Sequence, residues 1–203
     1  MLWLLSILID VVSASIICVP VIVIMQNTLF EGTSLKRRVV TILFVAYFSA
    51  VLSIVGIPSI NALTIDLSIN IIPIVDMING LKTTVLNIIL FIPLGFLLPL
   101  IWHNFRSAKN TILFGFGLSL IIEISQIFTY RATDIDDLIT NTAGTLLGYL
   151  IAGFVNDKWS NNFYLTDETQ GNKELMCICG ITFLVMFLIA PFISGALWEI
   201  LLK

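Results

Sequence analysis

The chain has 203 residues, 58% hydrophobic and 11% charged, with a formal net charge of −3. Soluble domains carry about 25% charged residues, so this composition excludes a water-soluble enzyme and defines a polytopic membrane protein. Basic residues cluster only at Lys36, Arg37 and Arg38, which excludes a nucleic-acid partner.

The first apolar run covers about Leu2 to Met25. Its start, MLWLLSILID, lacks the basic region of a signal peptide and reads as a retained helix. Asp10 interrupts it near enough to one end to face water or a neighbouring helix. The polar break QNTLFEGTSLKRR follows, then a second run from about Val39 to Gly56, which Pro58 ends. Residues Pro58 to Gly80 are broken by Asn61, Asp66, Asn70, Pro73, Asp76 and Gly80. They hold no stretch of about twenty apolar residues, and read as a loop lying on the membrane surface or dipping into it. The third run, Lys82 to about Trp102, carries Asn87, Pro93, Gly95 and Pro99. Pro93 removes a helical hydrogen bond and predicts a kink. The fourth run is Thr111 to about Phe128, the fifth about Asp136 to Phe154, and the sixth about Leu175 to Leu202. The expectation is an all-α membrane helix bundle with about six transmembrane helices, a single membrane domain over 1–203.

Lys36, Arg37, Arg38, Arg106, Lys109, Lys158 and Lys173 fall on one side of this topology, and Lys82, Arg131 and Lys203 on the other. The positive-inside rule puts the first group in the cytoplasm. Both termini and the turn at Arg131–Asp137 then face outward. Cys18, Cys177 and Cys179 lie in or beside apolar runs and read as free thiols packed as small hydrophobes. The Cys-x-Cys pair has no histidine nearby, and the one histidine, His103, has no ligand cluster in sequence reach. No metal site and no cofactor are expected.

Charge gathers between Ser119 and Gly148, where Glu123, Gln126, Arg131, Asp134, Asp136, Asp137 and Asn141 interrupt an apolar sequence. Ionisable groups within membrane segments are costly and tend to be functional. Helical spacing sorts them. Gly115, Ser119, Glu123 and Gln126 form one stripe of the fourth helix, and Asp137, Asn141, Gly144 and Gly148 one stripe of the fifth. In the third helix Asn87, Phe91 and Gly95 share a face. At about 1.5 Å of rise per residue, Glu123, Asn141 and Asn87 all sit roughly 7–9 Å below the outer surface. Gly144-x-x-x-Gly148 is a close-approach motif for membrane helices. Asp134 or Asp136 can cap the fifth helix, and Arg131 can pair with Glu123 or an aspartate across the turn. Two readings follow. One is a satisfied polar network that fixes helix register. The other is an outward-facing polar pocket lined by Asn87, Glu123, Gln126, Arg131, Asp134, Asp137 and Asn141, with the Pro58–Gly80 loop as its lid.

NIIPI at Asn70–Ile74, NIILFIPLGFLLP at Asn87–Pro99, IEISQ at Ile122–Gln126 and RATDIDDLITNTAGTLLG at Arg131–Gly148 together resemble the VanZ-like family. The ordered set is far more specific than any one piece. It covers a core of about 39–155; the sixth helix, about 175–202, falls outside it. Its motif positions here are Asn87, Phe91, Pro93, Gly95, Glu123, Gln126, Arg131, Asp134, Asp137, Asn141 and Gly144. The resemblance implies a bacterial cytoplasmic-membrane protein linked to lowered susceptibility to teicoplanin-type lipoglycopeptides. It carries no established catalytic residues.

The residues leave three functions open. The first is a module that binds membrane lipids of the envelope, with Arg131 on a phosphate or carboxylate of a lipid-linked cell-wall precursor or of the lipoglycopeptide itself. The second, less favoured, is an enzyme acting on lipid-linked wall intermediates. Glu123 and Asp137 would be its acid–base pair, or the aspartates would hold a divalent cation with phosphate. The third is a transporter or flippase, ranked last because no internal repeat is visible.

Overall fold

The computed structural model describes residues 2–30, 33–66, 69–70, 80–129, 133–159, 165 and 171–202. Among them the chain is all-α, as expected. The helices are α1 (Leu2–Thr28), α2 (Leu35–Val55), α3 (Leu81–Ile101), α4 (Ala108–Gln126), α5 (Ile135–Trp159), α6 (Gly171–Leu188) and α7 (Ala190–Leu201). A 3-10 turn covers His103–Arg106 between α3 and α4. Five helices, α1 to α5, are long and apolar enough to cross a membrane, and α6 with α7, bent by 54°, pass the same test taken together, as a broken span or a re-entrant pair. In hydrocarbon every backbone N–H and C=O must be satisfied within the protein, and helices of this length do that along their own axes.

α2 and α6 begin a full turn earlier than their apolar runs. α2 starts at Leu35, where the Ser34 side chain accepts from the Arg37 N–H at 3.3 Å. Arg37 and Arg38 therefore belong to the helix and not to the preceding break. α6 starts at Gly171, so Glu174 lies in its first turn. The sixth apolar run is also not one straight helix. It breaks between Leu188 and Ala190, and Pro191 opens α7.

The chain divides into two compact units, 1–63 with 173–203, and 64–172. In the first unit, α1 packs on α2 and on α7. Its core is large and aliphatic or aromatic: Ile22, Phe44, Phe48, Leu52, Leu175 and Ile178 are each 1% exposed or less. Phe44 and Phe48 stack with centroids 6.0 Å apart. The polar exception is a buried cluster. The Arg37 guanidinium donates to Glu174 Oε2, and the Gln26 side-chain amide donates to Glu174 Oε1 at 2.9 Å. This ties α1, α2 and α6 together through a carboxylate that is fully buried.

The second unit packs differently. α3 lies against α5 over most of its length, and α4 packs on both. Small residues set the spacing. A Cβ added at Gly95 would collide with the Thr145 carbonyl, one at Gly144 with the Ile88 carbonyl, and one at Gly148 with the Ile92 carbonyl. Backbone thus meets backbone, the geometry that small residues permit between membrane helices. On the other side of α5, the Thr145 side chain fills the space left by Gly115 of α4. At the far end, the Tyr149 hydroxyl donates to the Arg106 carbonyl at 2.8 Å.

Candidate functional site

The start of α5 is where the polar side chains of the second unit meet. Asp134 precedes the helix, and its Oδ1 accepts from the Asp136 N–H at 2.9 Å. That capping bond satisfies one of the free donors of the first turn. The Asp134 N–H in turn donates to Glu123 Oε2 at 2.9 Å, reaching across to α4. One turn into α5, Asp137 Oδ1 accepts from the Asn87 amide of α3 at 2.6 Å. One further turn along, the Asn141 amide donates to the Ser119 hydroxyl of α4 at 2.9 Å. Three helices are therefore joined by side-chain bonds at successive turns of α5.

Sequence spacing put Asn87, Ser119, Glu123, Asp137 and Asn141 on stripes and read Asp134 as a possible cap, and the structure pairs the stripes. Ser119 and Glu123 of α4 face Asn141 and Asp134, while Asn87 of α3 faces Asp137. Glu123, Gln126 and Asn141 are buried; Asn87, Asp134 and Asp137 are half-buried. The carboxylates of Asp134 and Asp137 lie close enough to Glu123 for their charges to act on it. Phe91 and Gly95 are buried on α3, and Pro93 is half-buried. α3 continues as one helix through Pro93 and Pro99. Gly144 and Gly148 meet α3 and do not touch the polar bonds directly. Arg131 lies outside the described residues.

Two participants did not stand out in the sequence as site residues. Ser119 is the partner of Asn141, and Asp136 is 3% exposed. The stripe spacing of Ser119 was the signal for the first. For Asp136 the sequence shows only an aspartate in an acidic turn, with nothing to say that it turns inward.

The segment after α2 runs beside this turn where it is described. The Thr64 N–H donates to the Phe128 carbonyl at 3.2 Å, and the Asp66 N–H to the Ile127 carbonyl at 2.9 Å. Ile69 and Asn70 pair in parallel with Thr133 and Asp134. The rest of the expected lid, 67–68 and 71–79, lies outside the described residues.

Among the described residues no group of three or more His, Cys, Asp or Glu side chains is placed to hold a metal ion. The described polar atoms are carboxylates, amides and hydroxyls. Such a set can accept hydrogen bonds from hydroxyls and amines, orient a polar head group, or move a proton between carboxylates.

The apolar helices and their polar junction define a multi-pass membrane protein. The VanZ/LLP1 family profile matches residues 16–156, from within α1 to the last turn of α5, and the chain belongs to that family. Over 73 residues it is 47% identical to Protein VanZ of Enterococcus faecium, covering 34% of this chain and 44% of that protein. The chain thus spans less than half the length of that relative. No solved structure matches it.

Proposed function

We propose that the chain works in the bacterial cytoplasmic membrane and lowers susceptibility to teicoplanin-type lipoglycopeptides. The polar junction at the start of α5 would face outward and hold the head of an envelope lipid, a lipid-linked wall precursor or the antibiotic. Asn87, Glu123, Gln126, Asp134, Asp137 and Asn141 would line it. Arg131, in the same turn of the sequence, would take the anionic part of the ligand. Membership of the VanZ/LLP1 family supports the setting. The observation that carries the reading is the run of side-chain bonds from α3 and α4 to α5. A network for register alone would need no acidic turn at its open end.

The test uses a susceptible host expressing the full chain. Glu123→Gln keeps an oxygen for the Asp134 N–H but removes the charge, and Arg131→Ala removes the cation. Once membrane levels are matched, both variants are expected to return teicoplanin susceptibility to that of the host without the gene. Wild-type behaviour from both would sink the proposal.

A further inference from the structure

The first unit holds a second polar place, built from residues other than those around α5. It forms where the C-terminal span bends. Pro191 has no N–H, so the Phe187 carbonyl, four residues earlier, loses its helical donor. The Ile60 N–H takes over that role, donating to the Phe187 carbonyl at 3.0 Å. The bond holds the segment after α2 against the bend. Gly56 makes the necessary reversal at φ 72°, a left-handed conformation that glycine adopts without strain. Beside this bend and α1 lies a cavity of about 260 Å³, lined in part by Asp10, Leu52, Ser53, Ser59, Met186 and Ser194.

The donors and acceptors of this wall are unequal. The Ser53 hydroxyl donates to Asp10 Oδ2 at 2.6 Å, and the Ser194 hydroxyl donates to the Pro191 carbonyl at 3.3 Å. Both protons are committed, so these two oxygens remain as acceptors beside a carboxylate, while the Ser59 hydroxyl can donate or accept. Among the described residues no cation pairs with Asp10. A carboxylate within a membrane-spanning helix is costly unless a partner offsets it. The matching partner is a positive group with several hydrogen-bond donors, and a primary ammonium has three. A divalent ion fits worse, because it calls for several anionic or carbonyl oxygens around it. The volume is below the roughly 300–1,000 Å³ of sites that enclose whole drug-sized ligands. It suits the head group of a larger molecule. Ser53 lies two residues before the end of α2, about 3 Å along the axis.

We propose that this cavity binds the primary ammonium of an amphiphile, with Asp10 as its counter-ion. The test uses purified full-length protein in mixed micelles containing phosphatidylethanolamine or, in parallel, phosphatidylcholine. The latter carries three methyl groups in place of the ammonium protons. Native mass spectrometry counts the lipid retained. Phosphatidylethanolamine is expected to be retained over phosphatidylcholine. Asp10→Asn should lower that retention about tenfold, the loss of one charge-assisted bond. Ser194→Leu fills the cavity with the carboxylate left in place, and should lower retention as well. Spermidine, an amine with no lipid tail, separates the sources. Displacement by spermidine overturns the amphiphile in favour of a soluble amine; retention against it supports a lipid amine. Equal retention of the two lipids, or unchanged retention in both variants, overturns the proposal. Should Asp10→Asn lose its thermal transition, Ser194→Leu decides alone.

Discussion

The two units of the chain bury polar groups by different means. In the unit formed by 1–63 and 173–203, a full ion pair is buried: Arg37 and Glu174, with Gln26 on the second carboxylate oxygen. The core of that unit is filled by large side chains such as Phe44, Phe48 and Leu52. In the unit formed by 64–172, glycines bring α3 and α5 into backbone contact. The polar bonds there join amide to carboxylate, amide to hydroxyl and backbone N–H to carboxylate. An ion pair needs exact compensation, since removing one partner leaves a bare charge in a medium of low dielectric. The half-buried Asn87–Asp137 bond can exchange with water or with a ligand. The first arrangement suits a fastening and the second suits a site.

The contrast can be tested by substitution. The largest effect is expected at Glu174→Ala, which strands the buried Arg37 and should cost about 3–5 kcal/mol. The thermal midpoint in detergent reads it, and Arg37→Met with Glu174→Met should recover most of the loss. If Glu174→Ala alone melts like wild type, the pair is not a fastening. Next comes Gly148→Leu, which drives a side chain into the Ile92 backbone and should cost about 1–3 kcal/mol or more. Gly180, in the other unit, has nothing within 4 Å of an added Cβ. Gly180→Leu should therefore leave the midpoint in place, and equal shifts for the two glycines would erase the contrast. The smallest effect belongs to Asn87→Ala. It removes one donor from a half-buried Asp137 that water can reach, for about 1 kcal/mol.

The helices and the polar stripes could be read from the sequence because both are local. Apolar runs of about twenty residues mark spans, and steps of three and four put Ser119 with Glu123 and Asp137 with Asn141. The Gly144-x-x-x-Gly148 motif announced a close approach for the same reason. What escaped was long-range. Arg37 read as part of a cytoplasmic basic cluster, and Glu174 falls just before the sixth apolar run. They pair across 137 residues of sequence, and each hides the other's charge. The bend before Ala190 also escaped. An apolar run looks continuous even where Pro191 interrupts its hydrogen bonds, and the compensating donor, Ile60, lies far away in the chain.

The contact between α3 and α5 has a mechanical consequence. At Gly95, Gly144 and Gly148 backbone lies against backbone, so at these points of the seam no side chain can change rotamer and absorb a shift. Along this stretch the two helices have little room to slide or turn past one another. Asn87 rides on one of them and Asp137 on the other, so their separation is fixed before any ligand arrives. A head group meeting them would find a preorganised frame, and its binding would carry little entropic cost of closure.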